Sequence, residues 1–249
     1  MSRPAPLARS TAALASSELR LTLRRGENLL VTIVIPTVVL LFFATVGVLP
    51  GIAGRPVDFL LPGSLALAVI ATGMVNLGIA TGYDRQYGVL KRLGGAPVPR
   101  TSVIVAKVAA VIAIEVAQVV LLVGVAAIVL GWRPAATAQP LLLIAALLIG
   151  TAAFAGLGLL MAGTIRAEAT LALANGLFLA FLMLGGIVIP IDHLPGPLAD
   201  AARLLPAWAL SESLRIALGS GADPALPLGV LGVWASGAIA LAIWTFRWE

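Results

Sequence analysis

Residues able to do chemistry are few in this chain, and the first is an acid in an apolar setting. Glu115 lies in the run 102–131, which is otherwise broken only by Lys107. Lys107 sits near one end of that run and can extend its ammonium to the boundary. Glu115 is eight residues further on, about 12 Å along a helix, and cannot. An acid at such depth is a candidate proton or ion carrier. The alternative is a carboxyl that stays protonated or is hydrogen-bonded to a neighbour such as Gln118 or Asn76, and a single acid with no obvious partner favours it. Asp192 and His193 form a second candidate pair, but no third metal ligand stands at a plausible spacing. That pair reads as a hydrogen-bonded or solvated one. The chain has no G-x-x-x-x-G-K-[ST], G-x-S-x-G or H-E-x-x-H motif. No catalytic residue and no metal site emerges.

A third cluster is chemical in another sense. The stretch YDRQYGVLKRLGGAPVPR, residues 83–100, places Asp84, Arg85, Lys91 and Arg92 around Val89, Leu90 and Leu93. A short helix there would have one apolar and one charged face. Gly94 and Gly95 would end it, and Pro97 and Pro99 would bar further helix. Such a segment is either a docking handle or a solvated basic turn.

The elements that hold these residues follow from composition. Of 249 residues, 60% are hydrophobic and 11% charged, more apolar surface than a soluble domain can bury. Runs long enough to cross hydrocarbon, roughly 20 residues, fall at 29–49, 59–82, 141–163, 171–189 and 226–246. The run 102–131 makes a sixth. The expectation is an all-α membrane protein of six spans, divided into a cytoplasmic tail with an interfacial helix, 1–28, and a transmembrane domain, 29–249. Ala12, Ala15, Leu19 and Leu23 recur at helical spacing beside Arg20, Arg24 and Arg25, which suits a helix lying on an anionic leaflet.

With the N-terminus inside, all but four of the sixteen Lys and Arg are cytoplasmic; the exceptions are Arg55, Arg133, Arg203 and Arg215. The net charge of +5 is therefore a topology signal and not a nucleic-acid footprint. Both termini are expected in the cytoplasm. Trp132 ends the third span outside, and Trp244 and Trp248 flank the last span inside. Nothing resembling a cleavable leader is expected at 3–17, and the absence of cysteine excludes disulfides.

Residues 190–219 are too polar and proline-rich for another span. Pieces at 196–205 and 206–218 look helical, with Pro190 and Pro195 as bends, Pro206 at a first turn and Gly219 as a stop. Leu210, Leu214, Ala217 and Leu218 form an apolar stripe, with Ser211 and Arg215 on another face. A re-entrant hairpin in the outer leaflet fits, since irregular backbone at membrane depth must pack against protein. In the fourth span Ala152, Ala155, Gly156 and Gly158 allow close helix approach.

The order Asp84-Arg85-Gln86-Tyr87-Gly88, then Leu90, Leu93, Pro97 and Arg100, resembles the loop between spans two and three of type-2 ABC transporter permeases. There an acid-Arg-Glu-x-Gly-Thr run precedes a Leu, a Pro and a basic residue. The segment GGIVIPIDHLPGPLADAARLLPAWALSESLRIAL, with Trp208 in it, is similar to the family's segment between spans five and six. Gln86 departs from the pattern where a second acid is usual, and Val89 where Thr is. The resemblance implies that 84–93, including Lys91 and Arg92, is the coupling helix that docks on a separate ABC ATPase. ATP and Mg would be bound by that subunit, with no cofactor on this chain. It also implies a second copy or paralogue, and a pathway at their interface near Pro36, Thr37, Thr72, Asn76 and Asn175.

The expected function is ATP-driven export across the plasma membrane, with lipids as further partners. Aromatics are only 6% of the chain, and the candidate path, with Phe42 and scattered Thr and Asn, suits a lipophilic or amphipathic cargo better than a polysaccharide. The rival from another class is an ion-coupled secondary transporter using Glu115, for which no inverted repeat is detectable.

Overall fold

The computed structural model describes residues 7–24, 26–46, 54–94 and 99–246, and every regular element among them is helical. Helix α1 is Leu7–Arg24 and α2 is Gly26–Val46. Helix α3 runs continuously over Pro56–Gln86, with a π-helical segment at Ile70–Asn76. A turn at Tyr87 and Gly88 leads to the short α4, Val89–Gly94. Then come α5 (Arg100–Val129), α6 (Pro140–Thr164) and α7 (Ala167–Leu184). A 3-10 turn, Ile191–His193, precedes α8 (Gly196–Ala202) and α9 (Pro206–Arg215). A π turn, Ile216–Ser220, ends α9, and α10 is Ala225–Thr245.

Among the described residues, five helices are long and apolar enough to cross a membrane: Pro56–Gln86, Thr101–Val129, Pro140–Thr164, Ala167–Leu184 and Ala225–Thr245. Of the expected first span, the described apolar part is Thr32–Val46 within α2, which is shorter. The fifth span is displaced: α7 begins at Ala167 and ends at Leu184, not 171–189, because Gly185 and Gly186 break it, Gly186 at φ 63°. Proline opens α3, α6 and α9 at a first-turn position, where its missing N–H goes unnoticed. Helix α4 is described as far as Gly94, so the expected stop at Gly94 and Gly95 lies at the edge of the described residues. Gly95, Pro97, Trp248 and the side chain of Leu93 lie outside the described residues.

Helix α3 is the axis of the bundle. In its most apolar window 89% of residues are buried within the protein, against 28% in α7 and α10. Its first half packs on α2, α5 and α9, its second half on α6 and α7. Leu60, Leu61, Leu65, Phe154 and Leu210 are fully buried at these contacts. The small residues of α6 work as internal packing. A Cβ built on Gly158 would lie 2.9 Å from the carbonyl oxygens of Gly73 and Met74, so α6 meets the π segment backbone to backbone. Gly156 does the same for α10, against Ala238 and Ile239.

Helix α1 packs along α5 while Leu21 and Leu23 remain about half exposed. Helix α9 is ten residues long, short of the roughly 20 a span requires, and almost wholly buried. It sits among α3, α6, α7 and α10. The preceding α8 is shorter than the expected piece, stopping at Ala202.

Candidate functional site

Where α2, α3 and α7 diverge they leave a cleft of about 680 Å³. Its walls are largely aliphatic and aromatic, and the π segment shapes them. One extra residue in a helical turn rotates the residues beyond it, and the segment ends on Asn76, which faces the cleft. No hydrogen bond holds the Asn76 amide among the described residues. Across from it, Asn175 on α7 donates an amide proton to Leu171 O, 2.9 Å away, and keeps its carbonyl open. The cleft continues to Tyr83, Asp84 and Tyr87, where the two tyrosine rings stack with centroids 5.9 Å apart. An apolar volume with two facing amides can hold an amphipathic molecule and orient it.

The six expected pathway residues do not all meet. Asn76 and Asn175 do. Thr72 is fully buried on the other side of α3 and donates to Gln118 Oε1 at 3.0 Å. Pro36 and Thr37 line a narrow crevice against Gln118, and Thr37 donates back to Ile33 O at 2.8 Å. Phe42 is half exposed, edge-on to Phe43. Gln118 itself is a residue that sequence reasoning used only as a possible partner of Glu115. Its real role comes from Pro36: a proline supplies no N–H to the carbonyl four residues earlier, which is that of Thr32. Gln118 Nε2 donates to Thr32 O at 3.1 Å. A proline in one span and a lone amide in another was the available signal.

At the end of α3 the charged residues turn inward. Lys107, 3% exposed, meets Asp84 Oδ2 at 2.6 Å and Glu18 Oε1 of α1 at 3.0 Å. Arg85 donates to Ile165 O at 2.5 Å, and Gln86 to Glu168 Oε1 at 2.7 Å. These three residues therefore tie α3 to α1, to α5 and to the α6–α7 turn. The outward face belongs to the next residues. Tyr87 is 69% exposed, Gly88 makes the turn at φ 71°, and Leu90 is buried as an anchor while Lys91 and Arg92 are exposed.

Glu115 is buried and away from the cleft. Its Oε2 lies 2.5 Å from Thr151 Oγ1 on α6, so its partner is neither Gln118 nor Asn76. Thr151 Oγ1 also lies 2.8 Å from Leu147 O. Asp192 pairs with Arg203 at 3.5 Å, and His193 is exposed. No three potential ligands cluster among the described residues. On α9, Arg215 bridges Glu212 (2.5 Å) and Gly186 O (2.8 Å) and stacks on Phe59, while Ser211 donates to Gly185 O at 2.6 Å. Trp208 and Pro206 are buried; Pro195 caps α8 and Pro190 the 3-10 turn.

Residues 9–218 match the sequence model of a family described as ABC-2 type transporter. No curated protein matches the chain. The matched region takes in α1, the cleft between α2, α3 and α7, the short α4 and the buried α9. A match over most of the chain, on a bundle whose helices can span a membrane, makes this a multi-pass ABC permease subunit: the chain belongs to the ABC-2 type transporter family.

Proposed function

We propose that this permease subunit is half of the membrane part of an ATP-driven exporter in the plasma membrane. It has six spans when α2 is included and keeps both termini in the cytoplasm. The observation that carries the reading is the cleft between α2, α3 and α7. It is open along one side, largely apolar around Asn76 and Asn175, and it runs down to Tyr83, Asp84 and Tyr87 beside α4. A second copy, or a paralogue, closes that open side and completes the pathway. The ATPase, which binds ATP and Mg, docks on α4 through exposed Lys91, Arg92 and Tyr87, with Leu90 seating the helix. Its movement reaches the spans through Asp84, Arg85 and Gln86, whose contacts distribute force to α1, α5 and the α6–α7 turn. Leu21 and Leu23, exposed beside Arg20 and Arg24, rest α1 on the inner leaflet. Helices α8 and α9 form the outer re-entrant hairpin.

The cargo is a lipophilic or amphipathic compound, because the cleft sets two amides in a largely apolar wall and its stacked tyrosines, Tyr83 and Tyr87, lie only at the end beside α4. Glu115 does not line it, which counts against proton coupling. The test is turnover of the complex reconstituted with its ATPase. Hydrophobic drugs or lipids should change the rate. A response to a lipid-linked glycan alone would sink the cargo assignment.

A further inference from the structure

We propose that a second cleft, at the opposite end of the bundle from α4, binds the phosphate headgroup of an anionic phospholipid. Helix α3 separates the two ends: its 31 residues span about 45 Å, from Pro56 beside this cleft to Gln86 beside α4. The cleft encloses about 450 Å³ and shares no lining residue with the transport cleft. Three arginines line it, Arg55, Arg133 and Arg215. These are three of the four basic residues that the orientation leaves outside, so positive charge is gathered where the chain otherwise has little.

Two of the three are compensated. Arg55 makes a two-bond contact with Asp58, at 3.0 and 3.1 Å, and Arg215 pairs with Glu212. Arg133 is exposed and meets no acid or acceptor among the described residues. Three cations against two carboxylates leave one positive charge, and it belongs to Arg133. A second donor is also unused: Arg215 Nε is buried and has no acceptor. A planar guanidinium with free N–H groups matches phosphate oxygens.

The walls are fixed before any ligand arrives. Arg55 donates to Gly131 O at 3.2 Å, Gln139 N to Ala217 O at 2.8 Å, Thr137 to Gly219 O at 3.1 Å, and Arg215 to Gly186 O at 2.8 Å. These bonds join the start of α3, the α5–α6 loop and the end of α9 into one frame, which lowers the ordering cost of binding. Phe59 and Trp132 add apolar wall to the same cleft. The site lies where the apolar helices α3 and α5 end, the depth of lipid headgroups. A phosphate carrying an acyl chain therefore fits better than a free one.

Full-length protein in a neutral detergent is titrated calorimetrically with short-chain phosphatidylglycerol, short-chain phosphatidylcholine and sodium phosphate. Phosphatidylglycerol should bind about tenfold more tightly than either of the others. Arg133→Gln should remove that preference without moving the melting temperature, since the side chain has no internal partner. Arg133→Lys should keep part of it. Equal affinity for the two lipids, or a preference unchanged in both Arg133→Gln and Arg133→Glu, overturns the site. Sodium phosphate binding as tightly as phosphatidylglycerol overturns the lipid as its occupant.

Discussion

Lys107 Nζ lies 2.6 Å from Asp84 Oδ2, a buried cation on α5 gripping the last turn of α3, with Glu18 of α1 on its other side at 3.0 Å. One ammonium thus holds three helices that are far apart in sequence. Lys107→Met removes the cation that Asp84 and Glu18 share. Removing one partner of a buried pair costs ~3–5 kcal/mol. Here Asp84 and Glu18 retain 16% and 23% exposure, so about 2 kcal/mol is expected. Thermal unfolding in detergent should record the drop, and adding Asp84→Asn should recover part of it. An unchanged melting temperature would show that the triad does not hold the helices together.

The same pair dictates how docking on α4 must be tested. Asp84→Arg would set a second cation against Lys107 and damage the bundle, confusing folding with docking. Arg92 is exposed, so Arg92→Glu should weaken co-purification with the ATPase and lower transport while melting stays unchanged. Gly88→Pro should do likewise, because φ of 71° is closed to proline. Normal assembly in both variants would remove α4 as the handle.

Glu115→Gln keeps the shape of the side chain and its contact with Thr151. Drug- or lipid-stimulated turnover should be unaffected. Loss of transport with α4 variants behaving normally would favour the ion-coupled alternative.

Gly158 supplies the cleanest packing test. Gly158→Ala places a methyl 2.9 Å from two backbone carbonyl oxygens, neither of which can swing aside, and overpacking of this kind costs ~1–3 kcal/mol. Gly124→Ala on α5 meets nothing within 4 Å and should be neutral or slightly stabilising, given alanine's helix preference. Comparable melting temperatures for the two variants would contradict the close α3–α6 contact.

Orientation can be read by cysteine labelling. Gln86 and Glu168 are exposed at one end and Pro195 at the other, whereas Ala167 is too buried to serve. Impermeant reagent on intact cells should label Pro195→Cys alone. Labelling of Gln86→Cys from outside would invert the topology and with it the docking proposal.

Much of the architecture was legible along the chain because hydrocarbon imposes a one-dimensional rule. A span must be a long apolar helix, and glycine and proline mark its limits, as at Pro56, Pro140 and Gly185. Length and composition alone therefore placed five of the helices, and the Asp84–Gly88 run pointed to the family. Partnerships between helices obey no such rule. That Asp84 turns inward to Lys107, that Gln118 serves the carbonyl orphaned by Pro36, and that Glu115 meets Thr151 depend on which faces of different helices meet. The π segment at Ile70–Asn76 has no periodic signature of its own; contact with Gly158 and a rotated Asn76 appear only once α3 and α6 are packed. Sequence thus determined which segments are long and apolar enough to cross a membrane, and tertiary packing decided which of their few polar groups face a cleft and which close against each other, because a polar atom in apolar surroundings takes whatever partner the neighbouring helix presents.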